Sequence, residues 1–124
     1  MKSILFFVFI ISPFGLLAQA KLFIPETVHY FDTLRVGDRC EHYFYIRNTG
    51  NEPLLIQSVN TSCGCDVADW PKEPIEPKSY AYIHYKYDSK RIGIINRSMT
   101  IKSNDPENPI IVVKVKGFVS PVSD

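Results

Sequence analysis

The chain is short and nearly balanced in charge, with 14 lysines and arginines against 13 aspartates and glutamates in 124 residues. Balanced charge without a basic run argues against nucleic acid and strongly anionic membranes as primary partners. Residues 21–124, which follow the leader described next, are long enough for one hydrophobic core and too short for two independent ones.

The first residues have the three parts of a secretory signal peptide: a basic start, a short apolar stretch and a small-x-small ending. Ala18 and Ala20 are the small residues that a signal peptidase needs, so we expect cleavage after Ala20. An uncleaved membrane anchor needs roughly 20 apolar residues, and Pro13 and Gly15 interrupt this stretch too early. The prediction is a signal peptide over residues 1–20, no membrane span after cleavage, and a periplasmic or secreted protein.

Apolar-polar runs with a period of two follow one another from Lys21 onwards and predict β-strands without a helix. Pro25 cannot donate to a sheet ladder, so the first run is predicted to be one edge strand that continues past Leu34. Asn48-Thr49-Gly50-Asn51 closes the second run, with Gly50 free to take a positive φ. Prolines at every third residue after Trp70 predict an extended connecting loop. The predicted strands are 21–31 continuing through 34–38, 40–47, 53–59, a short 67–70, 81–87, 94–103 and 110–119.

The alternation also assigns side chains to faces. In the second run His42, Phe44 and Ile46 share one face, and in the last run Val113 and Val115 do. Six or seven strands of this kind, each with one apolar face, pack most economically as two facing antiparallel sheets. We therefore predict an all-β, immunoglobulin-like antiparallel β-sandwich of about seven strands, with one domain over residues 21–124.

Three cysteines, Cys40, Cys63 and Cys65, would meet an oxidising compartment after export. Cys63 and Cys65 are too close in sequence to join two sheets as in antibody domains, and Gly64 between them permits a bend. Three interpretations of this pair stay open: a strained, easily reduced disulfide or redox pair, a copper(I) site of two thiolates, or two packed thiols. Structural zinc would need four ligands, and no second pair lies at suitable spacing.

The three histidines, His29, His42 and His84, are scattered in sequence and have no ligand-like spacing. His42 and His84 lie within predicted strands and are interpreted as partly buried structural residues. A histidine or Cys40 could complete a metal site with the cysteine pair only if the fold brings it near.

Four tyrosines in two predicted strands could gather on an exposed face: Tyr43, Tyr45, Tyr80 and Tyr82. Exposed tyrosines are enriched at binding surfaces, but tyrosine also favours strands without any binding role, and both interpretations stay open. The sequence has no glycine-rich phosphate loop, serine-nucleophile motif or pair of catalytic carboxylates. The protein is therefore predicted not to be an enzyme.

An ordered set of short motifs extends over the chain from about Phe31 to Val119. Its residues are Asn48-Thr49-Gly50, Pro53-Leu54, Ser62-Cys63-Gly64-Cys65, Trp70 with Lys72, Pro74-Ile75, Pro77, Gly93 and Ser103-Asn104-Asp105. The set resembles the exported bacterial family called domain of unknown function 1573. That resemblance implies an immunoglobulin-like sandwich akin to Hydin-type and major-sperm-protein-type modules, which mainly bind or scaffold, and it implies no established activity. Lys78 stands where the family often has glycine, Asp66 where it usually has threonine, and Cys40 lies outside the pattern.

The sequence favours an exported, non-enzymatic binding or scaffolding module of the bacterial cell envelope. Its expected partner is another envelope or secreted protein, captured at an exposed sheet edge by strand addition. The alternative is a thiol-redox or copper-handling accessory protein that uses Cys63 and Cys65, and no other cofactor is expected.

Overall fold

The structure is a computed structural model that describes residues 18–64 and 66–121. The described residues form nine β-strands, and none of them belongs to a helix that is long and apolar enough to cross a membrane. Most of the predicted signal peptide, residues 1–17, lies outside the described residues. The strands are β1 (Leu22–Phe23), β2 (Val28–Tyr30), β3 (Leu34–Arg35), β4 (Glu41–Asn48), β5 (Ile56–Thr61), β6 (Asp66–Asp69), β7 (Tyr80–Tyr87), β8 (Gly93–Ser103) and β9 (Ile110–Ser120).

The strands form two sheets that enclose one core. The first sheet has the order β1-β4-β7-β6, and the second has the order β2-β9-β8-β5 with β3 also paired to β9. The pairings are antiparallel except for those of β2 and β3 with β9, which are parallel. The predicted all-β immunoglobulin-like sandwich is confirmed, with nine strands among the described residues instead of about seven and with mixed pairing in the second sheet.

The higher number of strands and the parallel pairings come from the N-terminal segment. The prediction that this segment forms one edge strand is wrong, because it forms β1, β2 and β3. Phe23 pairs with Arg47 in the first sheet, whereas His29 pairs with Val115 in the second. Pro25 lies between these pairings, and its missing N–H and fixed φ end the first ladder. The chain therefore crosses from one sheet to the other and brings His29 beside the buried Val115.

Alternation of buried and exposed side chains along the four long strands, β4, β7, β8 and β9, produces the core, as predicted. Phe44 and Ile46 of β4 are fully buried, while Arg47 between Ile46 and the strand end is exposed. Fully burying one such apolar side chain contributes about 1.5–3 kcal/mol to folding. The buried apolar side chains without measurable exposure are Phe44, Ile46, Leu54, Ile83, Tyr85, Ile95, Met99, Ile101, Val113, Val115 and Val119.

The turn after β4 is built around the fully buried amide of Asn48. Its Oδ1 accepts hydrogen bonds from the N–H groups of Gly50 and Lys21, at 2.9 and 3.2 Å. Its Nδ2 donates to two carbonyls, that of Ile75 among them at 2.9 Å. Among the described glycines, Gly37 and Gly93 take a positive φ, whereas Gly50 does not use its freedom to do so. Glycine is needed there for space, because a Cβ would lie 2.1 Å from the carbonyl oxygen of Gln19.

Candidate functional site

Four tyrosines lie on the outer face of the first sheet. We call them the tyrosine face: Tyr43, Tyr45, Tyr80 and Tyr82. Tyr43 and Tyr45 alternate with the buried Phe44 and Ile46, so they point away from the core. Tyr45 lies opposite Tyr82 in the ladder between β4 and β7. Tyr43 is 57% exposed and Tyr82 is 49% exposed, so their rings are available to a partner.

The rings of the tyrosine face contact one another. The ring of Tyr82 meets those of Tyr43 and Tyr45 edge to face, with centroids 6.3 and 6.0 Å apart. Tyr80 stacks on Tyr45 at 5.7 Å and meets Tyr82 edge to face at 5.9 Å. Aromatic pairs in these geometries stabilise each other by about 0.5–1.5 kcal/mol beyond the burial of their area. The four side chains are thus brought together as an ordered aromatic surface.

A hollow of about 360 Å³ lies at one end of the tyrosine face, between Tyr43, Tyr82 and Trp70. The Nζ atom of Lys72 lies 3.0 Å from the centroid of the Trp70 ring, in a cation–π contact. The hollow makes this end of the surface concave, so that a side chain of a bound molecule can enter it.

Charged side chains surround Glu41 next to this hollow. Its carboxylate lies 2.8 Å from Nε2 of His84, 3.2 Å from Nε of Arg39 and 3.8 Å from Nζ of Lys86. The ring of Tyr43 stacks on His84 with centroids 4.2 Å apart. His84 is therefore held by Glu41 and Tyr43, and it is partly buried, as predicted.

The cysteine motif connects β5 to β6, the edge strands of the second and first sheets. Ser62 N–H donates to the Ser98 carbonyl at 2.9 Å, and Ser98 N–H donates to Ser62 Oγ at 3.0 Å, so the start of the motif is fixed to β8. The N–H of Asp66 donates to the carbonyl of Cys63 at 3.5 Å. The chain therefore bends around Gly64 at the rim of the sandwich.

The cysteines differ in state. Cys63 is disulfide-bonded. Cys65 lies outside the described residues, so its predicted role with Cys63, as a disulfide, redox pair or copper site, stays a prediction. Cys40 is a free, buried thiol, and burial raises its pKa to about 11. A thiol with this pKa is protonated near neutral pH in the metal-free protein.

A buried polar pair adjoins the motif. The hydroxyl of Tyr85 donates to Oδ2 of Asp66 at 2.6 Å, and both residues are buried. Burial, with the neighbouring Asp66 carboxylate as a further cause, raises the pKa of Tyr85 well above its ordinary value. Asp66, which stands where the family usually has threonine, is thus paired with the hydroxyl of Tyr85.

Two of the histidines, which are scattered in sequence, come together in the fold. His29 of β2 stacks on His42 of β4 with ring centroids 3.5 Å apart, and the Glu26 carboxylate contacts both rings. Sequence spacing could not reveal this, because the two strands belong to different sheets. The available signal was the position of His42 on the core-facing side of β4 beside Phe44. His42 is partly buried, as predicted.

Several motif residues of the family resemblance hold loops against strands. The Asp105 carboxylate accepts hydrogen bonds from the N–H groups of Leu22 and Glu107, both at 2.9 Å. The Oδ1 atom of Asn104 accepts from the N–H of Leu55 at 2.8 Å. These contacts tie β1 and the segment before β5 to the turn between β8 and β9, so this part of the motif set stabilises the fold.

Solved structures share this fold. A protein of unknown function from Porphyromonas gingivalis W83 has a TM-score of 0.73 and 25% identity, over 82% of this chain and 48% of that one. This chain therefore spans about half the length of that protein. The PapD-like domain 7 of human CEP192 has a TM-score of 0.71 at 9% identity, over 98% of this chain and 100% of that one. The YadV chaperone has a TM-score of 0.57 at 19% identity, over 82% of this chain and 52% of that one.

Sequence comparison gives the family. A comparison with curated proteins found no match. A family model, described as protein of unknown function (DUF1573), matches residues 22–119, from β1 to the end of the core-facing positions of β9. The resemblance that rests on the ordered motifs is confirmed, and the chain belongs to the DUF1573 family.

Proposed function

We propose that this protein is an exported, non-enzymatic binding module of the bacterial cell envelope that holds another envelope or secreted protein against its tyrosine face. The observation that carries the proposal is that face: four neighbouring rings, ordered by their mutual contacts and accessible to solvent. Tyrosine and tryptophan are enriched among the residues that dominate binding energies. Their side chains have few rotatable bonds, so they lose little entropy on binding.

Two features of the chain support export and a binding role. The basic start, apolar stretch and small-x-small ending of residues 1–20 fit a secretory leader. The fold is also similar to that of a part of the YadV chaperone, of which this chain covers 52%. A sandwich of this kind can receive an added strand at an open edge.

The edge strand β6 is the position from which a bound segment would reach the tyrosine face. Among the described residues, β6 pairs with β7 on one side only and ends the strand order of the first sheet. Val67 is exposed and lies opposite Lys86 on the outer side, and Asp69, two residues further along β6, lines the hollow at Trp70. An extended partner segment paired with β6 would continue the sheet, and its outward side chains would lie beside Val67 and the hollow.

The test compares two surfaces of one protein. A photo-crosslinking amino acid is placed at Tyr82 or at Tyr30, which is 67% exposed and lies in β2 outside the tyrosine face. In living cells we expect a discrete crosslinked protein from position 82 and none from position 30. Binding of that protein should fall at least tenfold in the Tyr43→Thr, Tyr82→Thr double variant and stay unchanged in Tyr30→Thr, since truncating central aromatic anchors costs the most. Equal crosslinking from both positions, or unchanged binding by the double variant, would contradict the proposal.

The alternative function is thiol-redox or copper-handling chemistry at Cys63 and Cys65. What favours it is the location of the disulfide-bonded Cys63 at the rim of the sandwich, next to the exposed Gly64. The measurements are the reduction potential of the oxidised protein and copper(I) binding by the reduced protein. A cellular metal content and redox phenotype that do not change in the Cys63→Ser, Cys65→Ser double variant would eliminate this alternative.

A further inference from the structure

One cluster of side chains joins the two sheets through groups that can bind a metal. His42 belongs to β4 of the first sheet, His29 to β2 of the second, and Glu26 to the loop before β2. Oε2 of Glu26 lies 2.9 Å from Nδ1 of His29, and Oε1 lies 2.6 Å from Nε2 of His42. The carboxylate therefore bridges two imidazoles that come from opposite sheets.

The three donor groups converge on a small volume. One ligand atom from each of Glu26, His29 and His42 lies within 4.8 Å of the other two. In a tetrahedral zinc site, donors about 2.0–2.1 Å from the ion are separated by about 3.4 Å. The two contacts of Glu26 with the imidazoles, at 2.9 and 2.6 Å, are shorter than this distance, and no two of the three donors lie more than 4.8 Å apart. Movements of the three side chains would therefore place all three donors around one ion.

Aromatic rings pack against the two histidines on one side, and the other side of the cluster is partly exposed to solvent. The ring of Phe31 meets His29 edge to face at 4.6 Å, and the ring of Phe44 meets His42 in the same way at 4.6 Å. The side chains of His29, His42 and Glu26 are 18%, 25% and 39% exposed. Rings packed against aromatic neighbours on one side, with partial access on the other, match a site of three protein ligands and one position open to water.

Charge also favours a cation. A glutamate side chain is ordinarily a carboxylate at neutral pH, and both oxygens of Glu26 contact an imidazole nitrogen. A carboxylate with two neutral imidazoles carries one negative charge, which a divalent ion would more than neutralise.

The geometry points to a metal site of Glu26, His29 and His42 that takes a divalent transition-metal ion of the zinc type and cross-links the two sheets. Two imidazoles and one carboxylate are a donor set that zinc accepts, with water as the fourth ligand. Each imidazole binds in its neutral form. The proton that Nδ1 of His29 or Nε2 of His42 donates to Glu26 moves, through solvent, to the other nitrogen of the same ring.

Binding has a structural consequence that can be observed. The two imidazole planes are 13° apart with ring centroids separated by 3.5 Å, so the in-plane nitrogen lone pairs of the two rings lie in separate, nearly parallel planes. Both rings must tilt for the lone pairs to meet at one ion. The ring resonances of His29 and His42 should therefore move on binding, whereas those of His84, which lies on the outer face with Glu41, should not.

The experiment is calorimetric titration of the folded, oxidised protein with Zn²⁺ after chelator treatment, in a non-coordinating buffer near neutral pH. We expect one ion per chain at micromolar or lower dissociation constant, and a higher melting temperature with the ion bound. Glu26→Gln and His29→Gln should each weaken binding at least tenfold. The matched control is His84→Gln, which removes an equally paired histidine from a different site and should leave binding unchanged. The Cys63→Ser, Cys65→Ser variant should also bind normally, which separates this site from the cysteine motif.

Each outcome decides the proposal. If His29→Gln fails to fold, Glu26→Gln serves alone, because Glu26 is the most exposed of the three and glutamine keeps its shape. No binding below about 100 µM, unchanged binding in Glu26→Gln, or loss of binding in His84→Gln would each overturn the site. Unshifted ring resonances of His29 and His42 on zinc addition would do the same.

Discussion

The hydroxyl of Tyr85 donates a 2.6 Å hydrogen bond to Oδ2 of Asp66 inside the first sheet. Within the described part of the chain the other carboxylate oxygen, Oδ1, is buried without a hydrogen-bond partner. Burying a carboxylate with so few hydrogen-bond partners costs free energy, and the hydrogen bond from Tyr85 offsets most of that cost. This pair lies directly after the cysteine motif and links the stability of β6 to that of β7.

The first prediction is that Tyr85→Phe destabilises the protein by about 2–4 kcal/mol, because it leaves the Asp66 carboxylate buried and unpaired. Replacing Asp66 by threonine in the same background should recover most of this loss, since threonine at this position removes the charge. Urea unfolding at neutral pH measures both variants. A loss below about 0.5 kcal/mol in Tyr85→Phe would mean that water already satisfies Asp66.

The second prediction concerns alkaline pH and Cys40. Burial raises the pKa of this thiol from 9.0 to about 11, so the unfolded chain loses the proton before the folded chain does. The stability that the protonated thiol contributes is complete below about pH 9 and is lost as the pH rises towards 11. The stability difference between the wild-type protein and Cys40→Ala should therefore shrink by about 2 kcal/mol between pH 8 and pH 10.5.

Tyr85 is present in both proteins of this comparison, and burial raises its pKa well above its ordinary value. Chemical unfolding at the two pH values gives the difference directly. A difference that stays constant between them would show that the Cys40 thiol ionises equally easily in the folded and unfolded chains.

The third prediction is that Lys78→Gly stabilises the protein. Lys78 has φ +68°, a left-handed conformation that costs a non-glycine residue about 1–2 kcal/mol, against about 0.5–1 kcal/mol of extra entropy lost by glycine. The net gain should be about 0.5–1 kcal/mol, or roughly 3–5 °C in melting temperature. The backbone hydrogen bond from Lys78 N–H to the Asn48 carbonyl, 2.8 Å long, is kept.

Lys78→Ala is the matched control for this substitution. It also removes the exposed 3.1 Å contact from Nζ to the Thr49 carbonyl but keeps the backbone strain. Calorimetry should show no stabilisation for alanine. Equal melting temperatures for glycine and alanine variants would show that the backbone at this position is not strained.

The fourth prediction concerns the residues at the expected cleavage point. Ala20 is buried, and the N–H of Asn51 donates to the carbonyl of Gln19 at 3.0 Å. We therefore expect a chain that starts at Gln19 to be more stable than one that starts at Lys21, by about 1–2 kcal/mol for the lost burial and hydrogen bonds.

A substitution in the turn checks the same contact from the other side. Gly50→Ala should cost about 2–3 kcal/mol in the chain that starts at Gln19, because the new Cβ would meet the Gln19 carbonyl oxygen. The cost should fall when residues 19 and 20 are absent. Thermal unfolding of the four proteins completes the comparison, and an equal cost in both backgrounds would contradict the observed approach. Mass spectrometry of the mature protein identifies which start occurs in cells.

Much of the fold could be predicted from local pattern. Alternation along β4 and β9 assigned Phe44, Ile46, Val113 and Val115 to the core, because side chains of a strand point to opposite faces at every second residue. The same rule set the tyrosines of β4 and β7 on a face away from that core. Partner strands were not needed for either assignment, since a strand's two faces are a property of its own backbone.

The sequence by itself therefore determined strand faces, the sandwich class and the family, all of which follow from short-range pattern and ordered motifs. Tertiary structure decided which strands are neighbours. The split of the N-terminal segment at Pro25, the close approach of Gln19 to Gly50, and the meeting of His29 with His42 all depend on pairings between distant parts of the chain. Such pairings are set by the packing of whole sheets, so no spacing along the sequence records them.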